Sequence, residues 1–178
     1  MTKRRIGLTA AITLWAGMGA TGVQAAEAAA KPCVTPAEAS GLMLFIAPDA
    51  IKAVGETCAT VLPADALLRQ TSGAFIDKYR AEADSAWPSA KAALAKIAGD
   101  EMKPALENDS FKPMIASLMA PVIAKDIKPK DCAQIDRIVT LIAPLPPRNA
   151  AELIVTLVQL SGEKKENSKL PVCPAGRN

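Results

Sequence analysis

Four cysteines, Cys33, Cys58, Cys132 and Cys173, are the feature that most restricts how this chain can fold. An even number of widely spaced cysteines predicts two disulfides in a protein that reaches an oxidising compartment. A four-thiolate zinc site is the alternative, but such sites usually draw their cysteines from close pairs, and here the nearest two are 25 residues apart. We therefore expect two disulfides and no metal.

The N-terminus predicts export to such a compartment. The basic segment 3–5 precedes the uncharged segment 6–23, and small residues stand at Val23 and Ala25. This order is typical of a secretory signal peptide, residues 1–25, cleaved after Ala25. An uncleaved membrane anchor is the alternative, since the uncharged segment approaches the length of a membrane span, but its glycines and threonines make it weakly apolar.

The signal resembles bacterial ones, so we expect a periplasmic or secreted protein with no stable membrane insertion after cleavage. The general secretory route is favoured over twin-arginine export, because the residues after Arg4 and Arg5 lack the rest of the twin-arginine pattern.

The positive net charge of the chain comes from the predicted signal. The whole sequence has 21 Lys and Arg against 18 Asp and Glu, and residues 1–25 contain three basic residues and no acidic ones. Cleavage leaves 18 of each sign. A neutral mature protein has no overall attraction for phosphate backbones, so no nucleic-acid partner is expected.

The composition favours helices over sheets. The chain is rich in alanine, 50% of its residues are hydrophobic and only 3% are aromatic, and no segment alternates apolar and polar residues. These features predict an all-α fold: a compact, disulfide-stapled helical bundle of about six to seven short helices in residues 35–162. A flexible leader, residues 26–34, precedes it, and a charged C-terminal tail, residues 163–178, is tethered by Cys173.

The first predicted helix begins at a capping box. Thr35 can cap the helix and Glu38 follows three residues later. Pro48 predicts a break after Ala47, with a second helix continuing to Leu62. These two helices would form an antiparallel hairpin.

The hairpin suggests a disulfide pairing. The start of one antiparallel helix lies beside the end of the next, which favours a bond between Cys33 and Cys58. The same geometry favours a bond between Cys132 and Cys173, at the ends of another predicted helix pair.

Further prolines and glycines predict the remaining helix boundaries. The longest periodic segment runs from Ser72 to Gly99, and Pro88 should interrupt it, with Ser85 capping the restarted helix. Pro121 should kink a later apolar helix.

For two helices near the C-terminus the sequence predicts which side chains are buried and which are exposed. A capping box of Asn149 and Glu152 precedes a helix that is apolar on nearly every side, which predicts a position in the middle of the bundle. In the helix before it, Asp136 and Arg137 fall off the apolar stripe and should point outward.

The absence of histidine excludes several kinds of chemistry. There can be no Ser-His-Asp triad, no Cys-His nucleophile pair and no histidine metal cluster. Five charged residues crowd the longest predicted helix: Asp77, Lys78, Arg80, Glu82 and Asp84. The acids among them could act as paired carboxylates, but pairs such as Arg80 with Asp84 favour a solvated face. No phosphate-binding or metal-binding loop appears, so no cofactor, catalytic residue or metal ligand is predicted.

One candidate binding surface remains. Met102, Phe111, Met114 and Met119 could line an adaptable hydrophobic groove, because thioethers repack around varied partners. Methionines at helical spacing also serve as ordinary core residues. Trp87 is expected to anchor the core, as is Tyr79.

Three functions are compatible with these features. The first is a non-catalytic protein that binds another envelope protein. The second is a carrier of a hydrophobic small molecule or lipid, held between segments 114–123 and 153–160 in a cavity of roughly a few hundred Å³. The third is a carboxylate-based hydrolase, which requires two acids facing each other in a cleft.

Overall fold

The computed structural model describes residues 33–162 and 171–173. These residues contain six α-helices, joined by turns and short 3₁₀ segments: α1 (Pro36–Thr57), α2 (Ala74–Ala98), α3 (Lys103–Glu107), α4 (Lys112–Ala124), α5 (Cys132–Ile142) and α6 (Pro147–Gly162). The predicted all-α class with two disulfides is confirmed. The predicted signal peptide, leader residues 26–32 and tail residues 163–170 and 174–178 lie outside the described residues.

Helix α1 is the element against which α2, α4 and α6 pack. It begins as predicted, since the Glu38 backbone donates to Thr35 Oγ1 at 3.3 Å and the Thr35 backbone donates to Glu38 Oε2 at 2.8 Å. The predicted break at Pro48 is wrong, because α1 continues through it to Thr57. A proline inside a helix costs about 3 kcal/mol, so burial on both sides of Pro48, at Phe45 and Val54, has to offset that cost.

Helix α2 lies along α1 and ends where the sequence predicts. Gly99 caps it with φ of +72°, a left-handed conformation that suits glycine. The predicted interruption at Pro88 is wrong: Ser85 and Pro88 both lie inside one uninterrupted helix. Helix α4 likewise contains Pro121 in its last turn. In each case tertiary packing outweighs the local effect of the proline.

The α1–α2 interface is close because it contains small residues. A Cβ placed on Gly41 would collide with the Cβ of Ser89, so glycine is needed for this approach. Next to it the ring of Phe45 packs at a tilt of 46° against Trp87, with ring centroids 4.8 Å apart. Trp87 is buried as expected, and its indole Nε1 donates to Asp109 at 2.8 Å.

The buried residues form two main clusters along α1. The first joins α1, α2, α4 and α6 and includes Leu42, Phe45, Trp87, Leu94, Ile115 and Val155. The second lies at the C-terminal end of α1 and includes Val54, Cys58, Leu62, Leu68, Ala124 and Cys132.

The disulfide pairing differs from the predicted one. Cys33 is bonded to Cys173, and Cys58 is bonded to Cys132. The predicted hairpin does not form, so Cys33 and Cys58 flank a single helix of 22 residues, about 33 Å long at 1.5 Å per residue. No disulfide can span that distance.

A short stretch of backbone pairing accompanies the Cys33–Cys173 bond. Val34 forms a parallel bridge with Val172; its N–H donates to the Pro171 carbonyl at 2.8 Å, and its own carbonyl accepts from the Cys173 N–H at 2.8 Å. Val34 is fully buried, although the sequence placed it in the flexible leader. Residues 33–34, before the first helix, and residues 172–173, after the last one, therefore lie side by side and are covalently linked.

Two expectations for the C-terminal helices are also corrected. Helix α6 begins at Pro147 and is not central: Leu153, Leu157 and Leu160 are 43%, 53% and 58% exposed. In α5 Arg137 is exposed as expected, but Asp136 turns inward and accepts a hydrogen bond from the Leu68 N–H at 2.9 Å.

Candidate functional site

An apolar groove opens between the helices and has a volume of about 300 Å³. Its lining side chains are aliphatic or aromatic: Met43, Leu44, Ile46, Ala47, Ala50, Ile51, Phe75, Tyr79, Ile123, Val139, Ile142, Ala150, Ala151 and Ile154. Among these Leu44, Tyr79 and Ala151 are buried, whereas Ile123 is 40% exposed. The apolar groove is thus open to solvent on one side. Its volume lies at the lower end of the range for small-molecule sites.

The small side chains of α1 and α6 explain why there is space at this position. Ala47 and Ala50 lie on α1 beside Pro48, and Ala150 and Ala151 lie in the first turns of α6. Each leaves room that a longer aliphatic side chain would occupy. The larger side chains of α2, α4 and α5 then surround an unfilled volume rather than closing on it.

Lys78 is not among the residues that line this groove, but it contacts two that are, Phe75 and Tyr79. Its ammonium donates to the backbone carbonyls of Ala143 and Leu145, the latter at 2.9 Å, at the end of α5. Its Nζ also stands 5.3 Å from the ring centroid of Tyr79 and 5.7 Å from that of Phe75, and both rings line the groove. Burial lowers the pKa of the Lys78 ammonium.

Lys78 was missed as a site residue in the sequence, where it belongs to a charged stretch interpreted as a solvated face. The other charges of that stretch are paired, though not as expected: Arg80 binds Asp77 at 3.1 Å rather than Asp84, and Glu82 binds Arg148 at 2.7 Å. The signal in the sequence was that Phe75, Lys78 and Tyr79 stand at positions i, i+3 and i+4, which lie on one face of a helix. A lysine between two aromatic side chains on one face can lie over apolar surface.

The residues of the predicted methionine groove lie elsewhere. Phe111 and Met114 are 39% and 47% exposed, while Met102 and Met119 are partly buried and pack against the first core cluster. None of the four lines the apolar groove. The two segments predicted to hold a hydrophobic ligand do meet there, however, through Ile123 of α4 and Ile154 of α6.

A second pocket, of about 470 Å³ and of mixed polar and apolar lining, lies between the first halves of α1 and α6 and the middle of α2. Its lining includes Ser40, Ser89 and Glu152, together with Arg148, whose guanidinium already binds Glu82 and donates to Ser85 Oγ at 3.0 Å. Within the described residues Glu152 is the one carboxylate that lines this pocket. A carboxylate-based reaction would need a second acid facing it.

The described part of the chain also lacks two features that define common site classes. In residues 33–162 and 171–173, no group of three or more acidic, cysteine or histidine side chains is placed to hold a metal ion. None of the helices described there is both long and apolar enough to span a bilayer.

In residues 33–162 and 171–173 these features define a helical domain with two disulfides and an open apolar groove. Comparison of the chain with protein-family models, with curated proteins and with solved structures found no match.

Proposed function

We propose that this is an exported protein of the bacterial periplasm or exterior that binds an apolar small molecule in the apolar groove. The observation that carries the proposal is a groove of about 300 Å³ that is lined by hydrophobic side chains and is open to solvent on one side. Sites for small apolar ligands are concave, mostly apolar and largely pre-formed. Two disulfides support the exported location, since such bonds persist in oxidising compartments.

Binding in the groove is driven by removal of apolar surface from water. A ligand there would cover side chains such as Ile51, Ile123 and Ile154, which are now partly exposed. Burial of apolar area contributes about 25 cal/mol per Å², so a straight alkyl chain gains affinity with each buried methylene. The rigid helices leave little ordering cost on the protein side.

Titration with a neutral apolar compound tests this proposal. The oxidised protein should bind dodecanol saturably in calorimetry, and dodecanol should displace a neutral fluorescent dye such as N-phenyl-1-naphthylamine. The variant Ala50→Phe, which places a ring in the groove, should weaken binding at least about tenfold, or 1.4 kcal/mol. Ala133→Phe is the matched control, since Ala133 is exposed at the start of α5 and does not line the groove.

Two results would contradict the proposal. One is the absence of saturable binding by the wild-type protein under oxidising conditions. The other is an Ala50→Phe variant that binds dodecanol as tightly as Ala133→Phe does.

A second candidate function is the binding of another envelope protein. One observation favours it: Leu153, Leu157 and Leu160 recur at helical spacing on the exposed face of α6. Exposed apolar rows of this kind are used in helix recognition. Chemical crosslinking in intact cells tests it, with Leu157→Glu as the variant that should abolish any crosslinked product and Thr156→Glu as the control at a neighbouring exposed position.

A further inference from the structure

The positive charge of Lys78, next to the apolar groove, bears on which class of apolar ligand the groove would prefer. Lys78 is half-buried on α2, and among the described residues no carboxylate lies within 4 Å of its ammonium nitrogen. The nearest acidic neighbour in sequence, Asp77, is bound to Arg80 at 3.1 Å. The positive charge of Lys78 is therefore not neutralised by an ion pair in this part of the chain.

The backbone contacts of Lys78 leave capacity for one more acceptor. An ammonium group has three N–H donors, and two of them point to the carbonyls of Ala143 and Leu145. Those carbonyls are dipoles without net charge, so they orient the ammonium and stabilise it without balancing its charge. An anion at the third donor would form a charge-assisted hydrogen bond.

The position of this ammonium relative to the groove is fixed by three contacts. It lies over the rings of Phe75 and Tyr79, both of which line the groove, at 5.7 and 5.3 Å from their centroids. It is also bonded to Ala143, which directly follows the groove residue Ile142. Neither Lys78 nor Ala143 lines the groove itself, so the cation adjoins residues of the groove wall, two of which are aromatic.

We infer that the groove takes a single-chain alkyl carboxylate, with its tail along the apolar side chains and its carboxylate at the ammonium of Lys78. This inference rests on the proposed function, because it assumes that the groove is a ligand site. It adds the chemical class of the ligand and the residue that recognises its head. A neutral alcohol of equal chain length would fill the groove but gain no ion pair, and an alkyl ammonium would meet a like charge.

Calorimetric titration of the oxidised protein with three probes of equal chain length tests the inference: dodecanoate, dodecanol and dodecyltrimethylammonium. Dodecanoate should bind about tenfold or more tighter than dodecanol, as charge-assisted hydrogen bonds are about twice as strong as neutral ones. Dodecyltrimethylammonium should bind most weakly. The preference for dodecanoate should shrink at high salt, while dodecanol binding should not weaken.

Substitution of Lys78 identifies the group responsible. Lys78→Met replaces the ammonium by an apolar side chain of similar length. It should lower the affinity for dodecanoate to that for dodecanol, without changing the affinity for dodecanol. Lys130→Met is the matched control, since Lys130 is exposed in the turn before α5, and it should leave the preference intact. If Lys78→Met also loses dodecanol, Lys78→Arg decides: a retained preference supports the inference and a lost one overturns it.

The outcomes separate the two proposals. If dodecanol and dodecanoate bind equally well to the wild-type protein, or if high salt leaves a preference unchanged, the role of Lys78 is overturned while the groove remains a ligand site. If no probe binds, the proposed function fails and the inference fails with it.

Discussion

Cys33 and Cys173 are bonded to each other across 140 positions of sequence, and the residues beside them, Val34 and Val172, pair through their backbones. The second disulfide, Cys58 with Cys132, spans 74 positions inside the first. The two loops are nested, and both bonds join parts of the chain that no local contact would bring together.

This nesting makes the disulfides large contributors to stability. By the chain-entropy model, loops of these lengths contribute about 5 kcal/mol and about 4 kcal/mol. We expect the double substitution of Cys58→Ser and Cys132→Ser to lower the free energy of unfolding by about 4 kcal/mol in denaturant titration. Peptide mapping without reduction checks the pairing directly, and a peptide linking Cys33 to Cys58 would contradict it.

The close contact between Gly41 and Ser89 predicts that Gly41→Ala destabilises the protein, whereas Gly→Ala substitutions in helices usually stabilise. In an ordinary helix interior Gly→Ala stabilises by about 1 kcal/mol. Here the new Cβ would collide with that of Ser89, so Gly41→Ala should destabilise by about 1–3 kcal/mol in thermal or denaturant unfolding. The double variant Gly41→Ala with Ser89→Gly relieves the collision and should recover most of the loss; if it does not, the contact is not the cause.

The hydrogen bond of Asp136 predicts a specific cost for its removal. Asp136→Ala leaves the N–H of buried Leu68 without its acceptor, which should lower the free energy of unfolding by about 1–3 kcal/mol. Gln134→Ala, at an exposed position of α5, is the control and should change stability by less than about 0.5 kcal/mol. Equal effects of the two substitutions would show that the hydrogen bond between Leu68 and Asp136 does not stabilise the fold.

The Thr35 capping box predicts an acid-sensitive contribution to stability. Burial raises the pKa of Glu38, but the hydrogen bond from Lys96 at 2.7 Å and those with Thr35 lower it more, so the pKa of this carboxyl is below its ordinary 4.5. A carboxyl with a lowered pKa in the folded state stabilises fully above the unfolded value and loses that contribution as pH falls through the folded one.

The matching measurement compares the wild-type protein with Glu38→Gln. At neutral pH the variant should be less stable by about 1 kcal/mol in denaturant unfolding, because glutamine can keep the capping box but loses the charge-assisted hydrogen bond from Lys96. The difference should shrink as the pH falls below 4.5, because the wild-type carboxylate becomes protonated. A difference that stays constant down to pH 2 would show that ionised Glu38 contributes nothing to stability.

Sequence reasoning predicted two local signals correctly, whereas the helix start expected at Asn149 is wrong, because α6 already begins at Pro147. The capping box of Thr35 and Glu38 forms, and Gly99 ends α2. Prolines were misleading, because Pro48 and Pro88 lie within helices whose two halves are both held by buried side chains. The cost of a proline is local, whereas the compensation comes from contacts that the sequence does not reveal.

The wrong disulfide pairing follows from the same error. It assumed that Pro48 separated two antiparallel helices, which would have placed Cys58 beside Cys33. Helix exposure was misjudged for a related reason: the apolar residues of α6 predicted a central position, but Leu157 faces solvent. Hydrophobicity alone does not distinguish a buried helix from one with an unoccupied apolar face.

The apolar groove itself could be predicted only in part. The sequence placed a hydrophobic ligand between segments 114–123 and 153–160, and Ile123 and Ile154 do line the groove. Most of its lining comes from α1 and α2, and the four residues Met102, Phe111, Met114 and Met119 do not contribute. The space depends on small residues that line it from different helices, such as Ala50 of α1 and Ala151 of α6, and their arrangement becomes visible only once the helices are packed.

The bond between Cys33 and Cys173 also determines how the protein would respond to mechanical load. A pulling force applied through the chain on either side of these two residues passes directly across the sulfur bridge and bypasses the helices between them. The helices between Cys33 and Cys173 would therefore stay folded under such a load until a reductant opens that bridge.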